Sequence, residues 1–155
     1  MDKIIVYVDN ADHALAQLVP MKSRQQVDRH SRLVTQWILV ACAPRVTKHI
    51  SKWVSRRARE NWRDQWSEKL FLQLAPTLKA QGDEVYTVIA IGNLPELTDQ
   101  LLTQHRGARV MDARCPRFGQ DLPPVTVDQP TQHSSRWSVP GAVAGMSALL
   151  VLASD

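Results

Sequence analysis

Four runs of hydrophobic residues divide the chain and predict the strands of a sheet. Residues 4–8 (IIVYV) are continuously apolar and mostly β-branched, and residues 37–43 (WILVACA) have the same apolar character. Such runs are typical of strands that are buried on both faces of a parallel sheet. Residues 84–91 and 109–113 are predicted as the third and fourth strands.

Helical patterns lie between these runs. Residues 11–21 contain ALAQLV and predict a short helix that Pro20 ends or bends, because proline lacks the N–H that continues a helix. Residues 94–105 predict another helix, with Pro95 in its first turn, where proline is tolerated, and Gly107 after its last turn.

The longest predicted helix follows the second strand. It begins with Thr47 as N-cap, Pro76 kinks or shortens its last turns, and Gly82 closes it. Hydrophobic residues recur along it at spacings of four and predict one buried face: Ile50, Val54, Ala58, Trp62, Trp66, Leu70 and Leu74. Trp53, Trp62 and Trp66 are assigned to this helix. Their rings are interpreted as core against the sheet, with arginines on the water side.

Strands that alternate with helices predict an α/β fold. We expect a doubly wound, mostly parallel sheet of four to five strands with helices on both faces. In such sheets ligands bind beyond the carboxyl ends of the strands. These ends carry Asp9 and Asn10, residues 43–45, Gly92 with Asn93, and residues 112–117.

Basic residues are concentrated in one region of the chain. The formal net charge is +4, and residues 45–63 hold seven Lys or Arg against one acid, Glu60. A predicted basic surface within this region comprises Lys52, Arg56, Arg59 and Arg63. It is typical of a solvated helix face, or of a surface that contacts an anionic membrane. Nucleic acid is not expected, because the interleaved tryptophans are interpreted as core.

The composition changes after residue 117. Residues 1–117 form the predicted domain, residues 118–138 a proline-rich polar linker, and residues 139–155 an apolar C-terminal segment. Residues 139–153 are uncharged, and as a helix they would span about 22 Å, short of the roughly 30 Å hydrocarbon core of a bilayer. The segment is therefore either a membrane anchor or part of the fold, as a packed helix or as a strand at residues 148–153.

Cysteine usage and the N-terminus favour a cytoplasmic protein. Cys42 and Cys115 lie 73 positions apart without a CxxC motif, which is typical of a reducing compartment. The chain starts with MDKIIVYVD, which lacks the features of a secretory signal. Membrane association is the alternative location, if the C-terminal segment inserts.

Residues 3–117 resemble the universal stress protein family. The similarity is carried by IIVYVDN with its strand-ending Asp9, the long helix, IGNLPELTDQLL and ARVMDAR. The resemblance implies a homodimer and an adenine-nucleotide fold, with ATP or AMP as the candidate ligand. Asp9 matches the family aspartate that contacts the nucleotide. If a nucleotide binds, the resemblance places its adenosine part at Asp9, Asn10, Ala43 and Asp112.

The chain departs from the family where the phosphates would bind. Asp112 and Cys115 stand at the positions of two phosphate-binding glycines, and the next glycine position falls near Thr126. A Cβ strains a backbone that needs positive φ, and a carboxylate repels phosphate. No cofactor is therefore expected in the usual manner.

The sequence also offers no catalytic constellation and no metal site, since Asp9, Asp12 and His13 supply too few ligands. We expect a non-catalytic binding or stress-response module of the universal stress type. The alternative is an accessory protein held at a membrane by its C-terminal segment and its basic helix.

Overall fold

The computed structural model describes residues 2–25, 34–44, 52–80, 82–116, 122–127 and 149–150. Strands and helices alternate along the chain in the order β1, α1, β2, α2, β3, α3, β4 and β5. Their bounds are β1 Asp2–Val8, α1 Ala11–Gln25, β2 Thr35–Ala41, α2 Arg56–Lys79, β3 Glu84–Ile89, α3 Leu94–Gln104, β4 Arg109–Asp112 and β5 Leu149–Leu150.

The strands form a single sheet in the order β3-β2-β1-β4-β5. The first four strands in this order are mutually parallel, with Val6 of β1 opposite Leu39 of β2 and Met111 of β4. β5 pairs antiparallel with β4. The predicted α/β fold with a mostly parallel, doubly wound sheet is confirmed.

Strands β1 to β4 each contribute to two hydrophobic layers, because successive side chains point to opposite faces of a sheet. Ile4, Val6 and Val8 belong to the layer that contains the buried residues of α1 and α2. Ile5 and Tyr7 belong to the other layer, with Leu101 of α3 and Val125. Helices therefore cover both faces of the sheet.

Two prolines predicted to end or distort helices are accommodated inside them. α1 continues past Pro20 to Gln25, and α2 continues past Pro76 to Lys79. In α2, Leu74 and Leu78 lie on either side of the proline and both are fully buried. Burying two leucines contributes a few kcal/mol, which offsets the cost of about 3 kcal/mol for proline within a helix.

α2 begins later than the spacing of apolar residues predicts. Its N-cap is Ser55, whose hydroxyl accepts a hydrogen bond from the backbone N–H of Ala58 at 3.1 Å. Trp53 lies in a turn before this cap and is 84% exposed, so its assignment to the helix core is wrong. Thr47, the predicted N-cap, lies outside the described residues.

The row of residues spaced by four does not stay on the buried face of α2. The buried residues are Ser67, Leu70, Leu74 and Leu78, whereas Trp62 is 44% exposed and Ala58 is exposed. Four residues turn an α-helix by about 400°, so such a row drifts by about 40° at each step. Trp66 still packs against the core. The prediction that all three tryptophans are core is therefore wrong for Trp53 and Trp62.

Only a small part of the apolar C-terminal segment is described. Met111 of β4 lies opposite Leu149, and Val110 lies opposite Leu150. This short antiparallel pairing agrees with the strand alternative for these two residues, and the rest of residues 139–155 lies outside the described part. Among the described residues, no helix has the length and hydrophobicity to cross a membrane.

Candidate functional site at the carboxyl edge of the sheet

Asp9 and Asn10, which follow β1, have different structural roles. The Asn10 side-chain oxygen accepts a hydrogen bond from the backbone N–H of His13 at 3.0 Å, as expected for the N-cap of α1. The Asp9 carboxylate instead accepts the backbone N–H of Cys115 at 2.6 Å. Asp9 therefore ties the end of β1 to the segment after β4.

The end of β4 carries a buried ion pair between Asp112 and Arg114. Arg114 Nε donates to Asp112 Oδ1 at 2.8 Å, and Arg114 Nη2 donates to Asp112 Oδ2 at 2.9 Å. The two side chains are only 2% and 3% exposed. Burial acts to lower the pKa of Arg114, but the hydrogen bonds and charge of Asp112 hold it above its ordinary value. Such a two-pronged contact is the strongest geometry of an Arg–carboxylate pair.

Arg114 also anchors the described segment 122–127. Its Nη2 donates to the carbonyl oxygen of Pro123 at 2.6 Å. Two residues further along, the carbonyl of Val125 accepts the hydroxyl of Thr98 at 2.5 Å. Thr98 in turn hydrogen-bonds the hydroxyl of Tyr7. These bonds connect β1, α3, β4 and the 122–127 segment in one polar network.

Two ionisable groups near this network are kept neutral by burial. Burial raises the pKa of the Cys42 thiol to about 12 and the pKa of Tyr7 to about 12. Nearby carboxylates, including Asp112, act in the same direction on both groups, whereas Arg114 opposes the shift. Cys42 and Cys115 are both free thiols. Burial therefore disfavours a nucleophilic thiolate at Cys42.

The positions that a family member would fill with phosphate-binding glycines have ordinary backbone here. Among the described residues, positive φ is confined to Gly82, Gly92 and Gly107. Asp112 and Cys115 therefore avoid the strain expected of a Cβ in a left-handed conformation. The backbone follows a different course from the one that a glycine loop would need.

The four residues predicted to hold a nucleotide lie at the carboxyl ends of three neighbouring strands. Asp9 and Asn10 follow β1, Asp112 is the last residue of β4, and Ala43 follows β2 as a half-buried residue. Asp9 and Asp112 both bond the segment after β4, whereas Asn10 caps α1. Sequence reasoning missed the role of Arg114. Arg114 lies just after the predicted fourth strand, two residues from Asp112 and with the opposite charge, and this spacing could have predicted their pairing.

The predicted basic surface divides into two parts. Lys52 and Arg56 are exposed, and Arg56 Nε donates to Glu60 Oε1 at 3.2 Å. Arg59 and Arg63 are half-buried and so are less exposed than a position on the water side of the helix implies. Helix geometry explains the difference, since Arg59, Arg63 and the buried Ser67 follow one another at one-turn intervals.

A shallow, open groove lies away from the ion pair, between α2 and the edge strand β3. It has a volume of about 510 Å³ and is lined by Asp64, Glu68, Phe71, Thr87 and Ile89. Within the described part of the chain, no three His, Cys, Asp or Glu side chains are grouped as metal ligands would be.

Comparison with known proteins gives no assignment. No protein-family model, no curated protein and no solved structure matches the chain. The resemblance to universal stress proteins therefore stays a prediction from the residues quoted above.

The buried ion pair generates a stability prediction. Arg114→Met leaves Asp112 buried without its cation, so we expect the free energy of unfolding to fall by about 3–5 kcal/mol. The control is Arg109→Met, which removes the more exposed pair between Arg109 and Asp2, 3.3 Å apart. We expect a loss of about 1 kcal/mol or less for this control. Urea unfolding measures the free energy of unfolding of both variants. Equal losses of stability in the two variants would contradict the assigned role of Arg114.

Cys42 generates a prediction about alkaline pH. The unfolded thiol ionises near pH 9.0 and the folded thiol near about 12, so between these values the unfolded state binds fewer protons. Stability contributed by the neutral thiol is present below pH 9.0 and falls as the pH rises toward about 12. Urea unfolding across this range should show a shallower decline for Cys42→Ala than for the natural chain. Cys115→Ala serves as control, and an unchanged decline in Cys42→Ala would refute the effect.

Proposed function

We propose that this chain is a non-catalytic binding or stress-response module on a universal-stress-like scaffold, and that it does not hold ATP in that family's manner. The observation that carries the proposal is the ion pair between Asp112 and Arg114 at the end of β4. It stands where the resemblance would place the phosphate loop. The proposal includes a homodimer, which the resemblance implies, and a cytoplasmic location, which cysteine usage and the N-terminal sequence favour.

Phosphate loops work by presenting unpaired backbone N–H groups to the ligand. Here the N–H of Cys115 is donated to Asp9, and the N–H of Arg114 is donated to Asp112 Oδ1 at 3.2 Å. Both donors are therefore already used. The guanidinium of Arg114, which alone would attract a phosphate, is neutralised by Asp112 and bonded to the carbonyl oxygen of Pro123.

The proposal predicts that ATP binding does not depend on the adenosine part. In calorimetric titrations with Mg²⁺ present, ATP should bind no more tightly than inorganic tripolyphosphate. Asp9→Asn, which keeps an oxygen to accept the N–H of Cys115, should change neither titration. Micromolar ATP binding that exceeds tripolyphosphate binding and is lost in Asp9→Asn would overturn the proposal.

A second candidate function is association with an anionic membrane surface. The observation that favours it is Trp53, which is 84% exposed and lies beside the exposed cations Lys52, Arg56 and Arg57. Tryptophan is enriched at membrane interfaces, and cations are attracted to anionic lipid headgroups. The apolar residues 139–153 would add to such an attachment as a hydrophobic segment.

Sedimentation of the full chain with lipid vesicles tests this candidate. We expect binding to vesicles that contain phosphatidylserine and little binding to pure phosphatidylcholine. Trp53→Ser should weaken the binding about ten-fold, since burying a large apolar side chain contributes about 1.5–3 kcal/mol. Leu72→Ser is the matched control, because Leu72 is 68% exposed on α2. Binding that is absent, or equally affected by both substitutions, would rule the candidate out.

A further inference from the structure

We propose that Arg59 and Arg63 form a binding site for a phosphate-bearing anion, on the side of the sheet that carries α1 and α2. This site lies on the opposite face of the sheet from Asp112 and Arg114, which belong to the α3 side. It does not depend on whether the chain is a universal-stress-like module. The argument rests on the position, burial and bonding of the two arginines.

The two arginines lie on the part of α2 that extends past the strands. α2 has 24 residues and β2 has seven, which correspond to about 36 Å of helix and about 23 Å of strand. Because β2 and β3 are parallel, the connecting helix runs back from the carboxyl end of β2. Its buried residues begin only at Ser67. The first turns of α2 therefore project beyond the carboxyl edge, which is the ligand-binding edge of such folds.

Carboxylates and guanidiniums occupy opposite flanks of α2. Asp64 and Glu68 line the groove beside β3. Helix geometry, with about 100° per residue, places Arg59 and Arg63 on the other flank, together with Trp66. α2 contacts β3 on one flank and α1 on the other. Arg59 and Arg63 thus face α1, and no acidic residue of α2 lies between the two arginines on this flank.

The two guanidiniums are only partly satisfied. Within the described part of the chain, Arg59 Nε and Arg63 Nε are shielded from water and have no hydrogen-bond partner. The Ser67 hydroxyl, one turn further along, is in the same condition and is fully buried. An acid follows each arginine in the sequence: Glu60 accepts a hydrogen bond from Arg56, and Asp64 lines the groove beside β3. A buried donor without a hydrogen-bond partner is unfavourable, so an anion that accepts these N–H groups would stabilise the fold.

The chemistry of the site favours phosphate over other anions. Arg59 and Arg63 lie one turn apart, about 6 Å along the axis, so both flexible side chains can reach a single phosphate or two linked phosphates. Each guanidinium presents a planar fork of donors that matches phosphate oxygens. α1 and α2 also both begin at this edge, and helix N-termini carry partial positive charge.

The test measures binding of inorganic phosphate and pyrophosphate to the full chain by calorimetry at constant ionic strength. We expect saturable binding that weakens about ten- to hundred-fold in the double variant Arg59→Gln, Arg63→Gln, as for lost hydrogen bonds to a charged group. The matched control is Arg56→Gln, Arg57→Gln, which removes two exposed charges from the same helix. It should retain the binding.

Three results would overturn the proposal. These are absence of saturable binding, equal weakening in both double variants, and binding only to vesicles of phosphatidic acid with none to soluble phosphate. The last result would mean that the arginines bind the phosphate headgroups of a lipid surface and not a soluble phosphate. If the glutamine variant does not fold, Arg59→Lys with Arg63→Lys keeps both charges but removes the forks. Pyrophosphate binding should then weaken several-fold, and unchanged binding would equally refute the site.

Discussion

The ion pair between Asp112 and Arg114 is the interaction on which the carboxyl edge of this protein depends. Two charges that are 2% and 3% exposed are costly to remove from water, and only close, doubly hydrogen-bonded geometry offsets that cost. The same guanidinium holds Pro123 and so brings the 122–127 segment under α3. Val125 of that segment completes the hydrophobic layer and accepts the hydroxyl of Thr98. Loss of one charge would therefore disturb packing as well as pairing.

This arrangement makes the two sides of the sheet chemically different at their carboxyl ends. On the α3 side, the Asp9 carboxylate accepts a hydrogen bond from the backbone N–H of Cys115, and the Asp112 carboxylate accepts one from the guanidinium of Arg114. On the α1 and α2 side, cationic groups lie near the edge without comparable internal partners among the described residues. On the α3 side, a ligand would have to displace strong hydrogen bonds within the chain. On the α1 and α2 side, a ligand would provide hydrogen-bond acceptors for donors that have none among the described residues.

The strands of the sheet were predicted correctly because the pattern that identifies a buried strand lies within a few consecutive residues. A buried parallel strand needs a continuous apolar run, and residues 4–8 and 37–41 lie fully in the core. The ion pair was not predicted, because Asp112 was compared with a family glycine instead of with Arg114, the oppositely charged residue two positions further along. The start of α2 was misplaced because a spacing of four resembles a buried face over two or three turns. Two features show that Trp53 is not a core residue: the N-cap at Ser55 starts the helix after Trp53, and residues spaced by four rotate away from the buried face.

The length of α2 explains why its first turns carry arginines instead of core residues. A helix longer than the strands it covers must leave one end without a sheet beneath it, and the residues at that end are free of the requirement to be apolar. Here that end carries arginines, which can bury their aliphatic stems and keep their charged groups near the surface. A purely solvated end would need no shielded donors. Because Arg59 Nε and Arg63 Nε are shielded within the described residues, the extension is better explained as one wall of a binding site than as a solvated overhang.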